Sequence, residues 1–185
     1  MAKVNIETVK EQIYYSYANL AMAHTALEKN QGKYTPFNFM IRAKFFKGLK
    51  DGTMNIHSIF DDEKIKIKTG NICNYCGSTE NLALDHVFPQ KFGGKDDAEN
   101  LILVCRSCNS SKGKKDLMEW MLFRNKFLPL MIIRRYLKLT YEYCLINSLL
   151  DKRVEDLKGI GLPFRIDLLP INFPQPSELI LNIGD

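Results

Sequence analysis

The sequence lacks any hydrophobic run long enough to cross a membrane. Even the stretch from Leu128 to Ile133 is six residues and is closed by Arg134 and Arg135, far short of the ~20 apolar residues a span requires. The segment from Met1 to Lys10 has no cationic start leading into an apolar stretch, which argues against a secretory signal and predicts a cytoplasmic protein. No internal repeat or low-complexity tract is visible, and one-signed charge is scarce: 26 Lys and Arg stand against 21 Asp and Glu. An excess of five cations leans mildly toward an anionic partner and alone decides nothing. Apolar residues at 45% and charged residues at 25% match globular averages and argue against wholesale disorder. Histidine is sparse, at three residues, His24, His57 and His86.

What is present concentrates in one place. Four of the five cysteines form two pairs, Cys73-x-x-Cys76 and Cys105-x-x-Cys108. In a protein without a secretory signal, such thiols are metal ligands or nucleophiles rather than a disulfide framework. Two residues between thiolates let the backbone fold into a knuckle, and two knuckles complete a tetrahedron. Four thiolates leave no open coordination position, so the spacing predicts a structural zinc. Cys144, alone within an apolar helix, reads as a buried thiol.

Between the pairs the pattern is strand, loop, strand, helix. Leu82 to Val87 reads as a strand ending in the polar pair Asp85-His86, and Phe88 to Asp97 is a loop by its Pro, Gly and charge. Asn100 to Cys105 reads as the second strand, and Asn109 is expected to open a helix running through Lys112 and Leu117 to Trp120, a packing residue.

This string resembles the HNH endonuclease family, the zinc-containing branch of the ββα-metal nucleases. The matching residues are Cys73, Cys76, Asp85, His86, Asn100, Cys105, Cys108, Asn109 and Lys112, with His86 to Asn100 separated by 14 positions and Asn100 to Asn109 by nine. The third signature position holds Asn109 in place of histidine, a variant that also occurs in active members. The resemblance covers about Ile72 to Trp120, and it implies roles. His86 is the general base, and imidazole suits proton abstraction near neutral pH. Asp85 and Asn109 offer hard oxygens suited to Mg²⁺ or another divalent ion. Asn100 ties the loop backbone so that His86 points correctly. Lys112 meets a phosphate, Arg106 is a weaker candidate for the same contact, and Lys114 and Lys115 are either solvated or phosphate-facing.

The flanks read as helical. Ile6, Val9, Ile13, Tyr17, Leu20 and Leu27 predict an amphipathic helix from about Ile6 to Lys29, with Thr8 and Glu11 as a capping box and Gly32 as its stop. A second helix opens with Thr35 and Pro36, and Gly48 marks its expected end. Lys33, Arg42, Lys44, Lys47 and Lys50 lie in this stretch with no acidic residue. Its aromatics anchor it, and its basic side, Lys44 and Lys47 included, is either solvated or laid along a phosphate backbone. Ile65 to Thr69 alternates as a short strand. Helix is expected from Met118 to Leu128 and again from Leu130 to Leu150. Four prolines then make an extended tail whose apolar residues pack on a surface. His24 and His57 read as ordinary structural histidines.

The expected protein is therefore α+β: a ββα-metal core at 69–120 clamped by a four-cysteine zinc site, a helical region at 1–68, and a helix plus proline-rich tail at 121–185. Its expected activity is Mg²⁺-dependent hydrolysis of DNA, of restriction or anti-phage defence type, with RNA not excluded, no membrane partner, and a homodimer for cutting both strands. The alternatives are a non-catalytic zinc module that binds nucleic acid, or a homing-type or RNA-directed nuclease of the same family.

Overall fold

The computed structural model describes residues 4–56 and 71–183. His57 and the strand expected at Ile65 to Thr69 lie outside them. Among the described residues α1 spans Val9–Glu28, α2 Pro36–Lys50, β1 Leu82–His86, β2 Leu101–Cys105, α3 Arg106–Lys112, α4 Leu117–Arg124 and α5 Leu130–Ile146. Short 3-10 turns punctuate the tail. No described helix is long and apolar enough to cross a membrane.

Helix α1 is the centre of the molecule. The Thr8–Glu11 capping box opens it, and the chain leaves it at Lys29, before Gly32. Thirteen of its residues are buried on all sides, because α2, α5 and the tail surround it. Such burial would strand polar groups, and the proline-rich tail resolves this. Ser16 Oγ donates to Pro170 O at 3.0 Å, Asn19 Nδ2 to Ile171 O at 3.0 Å and Gln12 Nε2 to Leu169 O at 3.4 Å. The tail also closes the open end of α5, where Pro129 offers no capping side chain: the amides of Leu130 and Met131 donate to Ile180 O and Leu181 O.

Helix α2 begins as expected after Thr35, whose amide is held by Asn38 Oδ1 at 2.8 Å. It does not end at Gly48. That glycine lies inside the helix, and a Cβ there would come within 2.7 Å of Met54 Cγ, so it serves close packing rather than termination. Two of its cations are committed to α1: Lys50 pairs with Glu11, and Arg42 bonds Asn19 Oδ1 and lies over the Tyr15 and Phe39 rings. Lys33, Lys44 and Lys47 are exposed.

The two strands pair antiparallel, Leu82 opposite Cys105 and His86 opposite Leu101. This register sets the cysteine knuckles at one end of the ribbon and the 87–100 loop at the other. The single helix expected after Asn109 is divided. Cys105 caps α3, so Asn109 sits one turn inside it; Gly113, at φ +55°, stops it, and Asp116 starts α4 by accepting from the amides of Met118 and Glu119. Asn125, at φ +49°, ends α4 before Leu128. Helix α5 also ends earlier than expected, at Ile146.

The flanks and the ribbon share one core. Val9, Ile13 and Tyr17 of α1 belong to the same buried cluster as Val87, Ile102, Trp120 and Tyr136. Helix α5 also makes polar contacts with the core: Arg135 donates to Leu101 O of β2 at 2.9 Å, Lys138 pairs with Glu99 of the loop at 2.8 Å, and Tyr136 Oη donates to Oδ2 of Asp116, which starts α4, at 2.6 Å. This is an α+β fold whose small sheet carries Asp85 and His86, with Asn100 in its loop and Asn109 on α3.

Candidate active site

The sulfurs of Cys73, Cys76, Cys105 and Cys108 lie within 4.8 Å of one another. A tetrahedral zinc with Zn–S bonds of ~2.3 Å has S···S edges of about 3.8 Å. The Cys76–Cys105 separation is 3.7 Å, so the four thiols surround a space that fits one such ion. Three are buried and Cys76 is exposed. Cys105 accepts the Cys108 amide at 3.4 Å, and this backbone hydrogen bond brings its thiol down to about 7, whereas burial pushes Cys76 and Cys108 up. Arg124 approaches Cys108 Sγ at 3.9 Å while lying over the Trp120 ring, supplying a positive charge beside the sulfurs. Cys144 is fully buried elsewhere, its thiol raised to about 12 by burial. His24 pairs with Glu28 within α1.

At the loop end, Asp85, His86 and Asn109 line one cleft of about 260 Å³ with Leu84, Pro89 and Lys91. Strand alternation turns Asp85 inward, and it is 5% exposed. Both of its oxygens are held: Oδ2 accepts from Tyr75 Oη at 2.9 Å, and Oδ1 lies 3.1 Å from Lys112 Nζ. The Tyr75 phenol is raised well above its ordinary value, first by burial and then by the Asp85 charge, so it remains a donor. Asn109 Nδ2 donates to Leu84 O at 3.3 Å, which leaves its oxygen as the atom offered to a cation. His86 Nε2 lies 2.9 Å from Asp96 Oδ1.

Asn100 is 2% exposed and bridges the loop it closes. Its Oδ1 accepts the Phe88 amide at 2.7 Å, and its Nδ2 donates to Phe88 O at 3.0 Å and Lys95 O at 2.8 Å. Gly94 fits beneath this bridge, where a Cβ would lie 2.0 Å from Phe88 O. Gly94→Ala is therefore expected to force the loop outward at a cost of about 1–3 kcal/mol, as overpacked sites do. A lower thermal midpoint and faster hydrogen exchange at Lys95 and Asn100 would register it, and an unchanged protein would show that the loop yields freely.

Lys112 lines the cleft from α3. It is 1% exposed, and its ammonium contacts Asp85 and, at 2.6 Å, the carbonyl of His86. A buried lysine needs such partners, and Lys112 meets them at the wall of the same cleft. Arg106, Lys114 and Lys115 are exposed, with Lys115 resting over Phe123. Lys91 and Lys114 line the cleft itself. Three residues that contact or line the site carried no motif signal: Tyr75, between Cys73 and Cys76; Asp96, in a charged loop; and Lys91. The aromatic within the first knuckle and the Asp96-Asp97 pair in a loop facing the only motif histidine were the available cues.

A two-stranded ribbon, a four-cysteine cluster able to hold zinc and a helix carrying Asn109 beside an Asp-His pair make up an arrangement consistent with a ββα-metal fold. The HNH endonuclease family matches residues 73–115, about a quarter of the chain. The chain is also similar to the CRISPR-associated endonuclease Cas9 of Corynebacterium diphtheriae, with 40% identity over 52 residues that make up 26% of this chain and 5% of that protein. The chain thus spans a small fraction of that relative's length. No solved structure matches it.

Proposed function

We propose that this protein is a divalent-metal-dependent endonuclease that hydrolyses DNA phosphodiester bonds in the cleft shared by Asp85, His86 and Asn109. The observation that carries this reading is their convergence on one basic-rimmed cleft from separate elements, β1 and α3. The donor set fits Mg²⁺: one carboxylate and one amide oxygen, both hard ligands, stand apart from the four thiolates, which fit zinc. Asp85 and Asn109 would hold the divalent ion, which would supply charge neutralisation to the phosphate and the leaving 3′ oxygen. Tyr75 and Lys112 keep Asp85 fixed for that purpose. His86 takes a proton from the attacking water at Nε2. Asp96 now occupies that nitrogen and must turn off it, which its position at 71% exposure permits. Asn100 holds the loop that carries Asp96.

Lys91 and Lys114 would receive the phosphates beside the scissile bond. Arg106 and Lys115, together with Lys44 and Lys47 of α2, would extend the contact. Changing Lys44 and Lys47 together to Gln keeps Phe45 and Phe46 in place. Each lost phosphate contact should lower the slope of log affinity against log salt by about 0.9 on duplex DNA. A normal fold with an unchanged slope would assign these lysines to plain solvation.

Similarity to a CRISPR-associated endonuclease supports DNA as the substrate and a defence setting, restriction-type included. One cleft cuts one strand, so severing a duplex takes a homodimer or two passes. The test is incubation of the purified protein with duplex DNA, single-stranded DNA and RNA, with Mg²⁺ and with a chelator. Metal-dependent cutting of DNA supports the reading. Cutting of RNA alone, or of nothing under any ion, contradicts it.

A further inference from the structure

We infer that the first zinc knuckle is an active-site element, in which Tyr75, seated between the ligands Cys73 and Cys76, positions the metal-binding carboxylate of Asp85. This inference rests on the metal-nuclease reading and deepens it. Tyr75 is 6% exposed, and its hydroxyl meets Asp85 Oδ2 at 2.9 Å. Its ring is held edge-on to Trp120, with centroids 4.8 Å apart, and Trp120 is itself fixed by donating to Ser111 Oγ at 3.0 Å. The neighbouring Asn74 is bonded to β2 through Leu103 O, by its amide at 2.9 Å and by its side chain at 2.8 Å. The phenol is therefore anchored from three sides: by the cysteines on each side of it, by the Trp120 ring, and by the strand β2.

A carboxylate oxygen has two acceptor directions. Tyr75 takes one on Oδ2, and Lys112 takes one on Oδ1. The two donors fix the carboxylate plane and leave each oxygen a further direction for a cation. The donors differ in kind. Lys112 brings a positive charge that partly offsets that of Asp85, whereas Tyr75 orients the group without opposing an incoming cation. The phenol thus supplies the preorganisation that partners outside a metal's own ligands commonly provide, and losing such a partner typically weakens metal binding ~10–100-fold. In this chain the orienting group is built into the zinc clamp, so the order of the zinc end is transmitted directly to the carboxylate at the cleft.

The experiment uses full-length, zinc-loaded protein and Tyr75→Phe, which removes one oxygen and keeps the ring. Zinc content and thermal unfolding are measured first. Binding of Mn²⁺ is then followed by the electron paramagnetic resonance signal of the free ion, without nucleic acid and without turnover. The expected result is one zinc per chain in both proteins and Mn²⁺ affinity at least ~10-fold weaker in Tyr75→Phe. A purely structural Tyr75 would lower the unfolding temperature and leave Mn²⁺ affinity unchanged, and that result overturns the inference. Should Tyr75→Phe lose its zinc, the ¹³Cζ resonance of Tyr75 in the wild-type protein decides: a saturable shift on adding Mg²⁺ supports the coupling, and a resonance that stays in place overturns it. A wild-type protein that takes up no Mn²⁺ overturns the metal-nuclease reading and this inference with it, whereas equal binding by both proteins overturns the inference alone.

Discussion

His86→Ala is expected to lower the rate of DNA cleavage by about 10²–10⁴-fold, the usual worth of a positioned general base, while zinc content and DNA affinity stay near wild type. The separation follows from what the side chain touches. His86 contacts Asp96 through Nε2, and the Lys112 ammonium binds its backbone carbonyl rather than its ring. Removing the imidazole thus leaves the Asp85–Lys112 pair and the Asn100 bridge intact. Single-turnover cleavage with saturating enzyme checks this, with zinc analysis and a binding isotherm alongside. Cleavage at the wild-type rate would remove His86 from the chemistry.

Cys105→Ser should produce the largest loss of stability. Cys105 contributes a sulfur, caps α3 and lies in β2, so one substitution disturbs the metal, a helix start and a strand end. Structural zinc binding in small modules is worth roughly 10–16 kcal/mol in apparent terms, comparable with the ~5–15 kcal/mol that holds a whole domain folded. Cys73, Cys105 and Cys108 belong to the same buried cluster as Trp120, Tyr136 and the residues of α1, so the damage should spread beyond the ribbon. Elemental analysis should find one zinc per chain in the wild type and none in Cys105→Ser, whose cooperative thermal transition should be lost or shifted far down. A metal-free protein that melts like the wild type would refute the structural role.

The four-cysteine cluster and the strand–loop–strand order were legible because their signals are local. Two C-x-x-C pairs fix their own geometry, and the run from Leu82 to Cys105 alternates around a loop marked by Pro89, Gly93 and Gly94. The capping box at Thr8 and the Thr35-Pro36 start were legible for the same reason. The break between α3 and α4 was also written locally, in Gly113 and Asp116, but the continuous charge and apolar pattern from Asn109 to Trp120 masked it. Gly48 shows the opposite error: a glycine near a helix end reads as a stop, and only the approach of Met54 reveals a packing role. The fate of Lys112 was beyond local reading. Its partner Asp85 lies 27 residues earlier, and nothing in the helix around Lys112 announces that it faces inward. Tyr75 and the tail share this property, since the hydrogen bonds joining Ser16 and Asn19 to the tail span more than 150 residues. Among the polar groups around the candidate site, Tyr75 and Lys112 were thus the least visible, because each is defined by a partner that only the fold supplies.

Asp85, His86 and Asn109 should act as one hydrolytic site dependent on a divalent ion. The most direct measurement is sequencing of the DNA ends left by wild type and His86→Ala, each with Mg²⁺ and with chelator. Wild type with Mg²⁺ should leave 5′-phosphate and 3′-hydroxyl ends, with neither end above background from the variant or under chelation. Ends of the same kind and number from His86→Ala, or from chelated wild type, would contradict it.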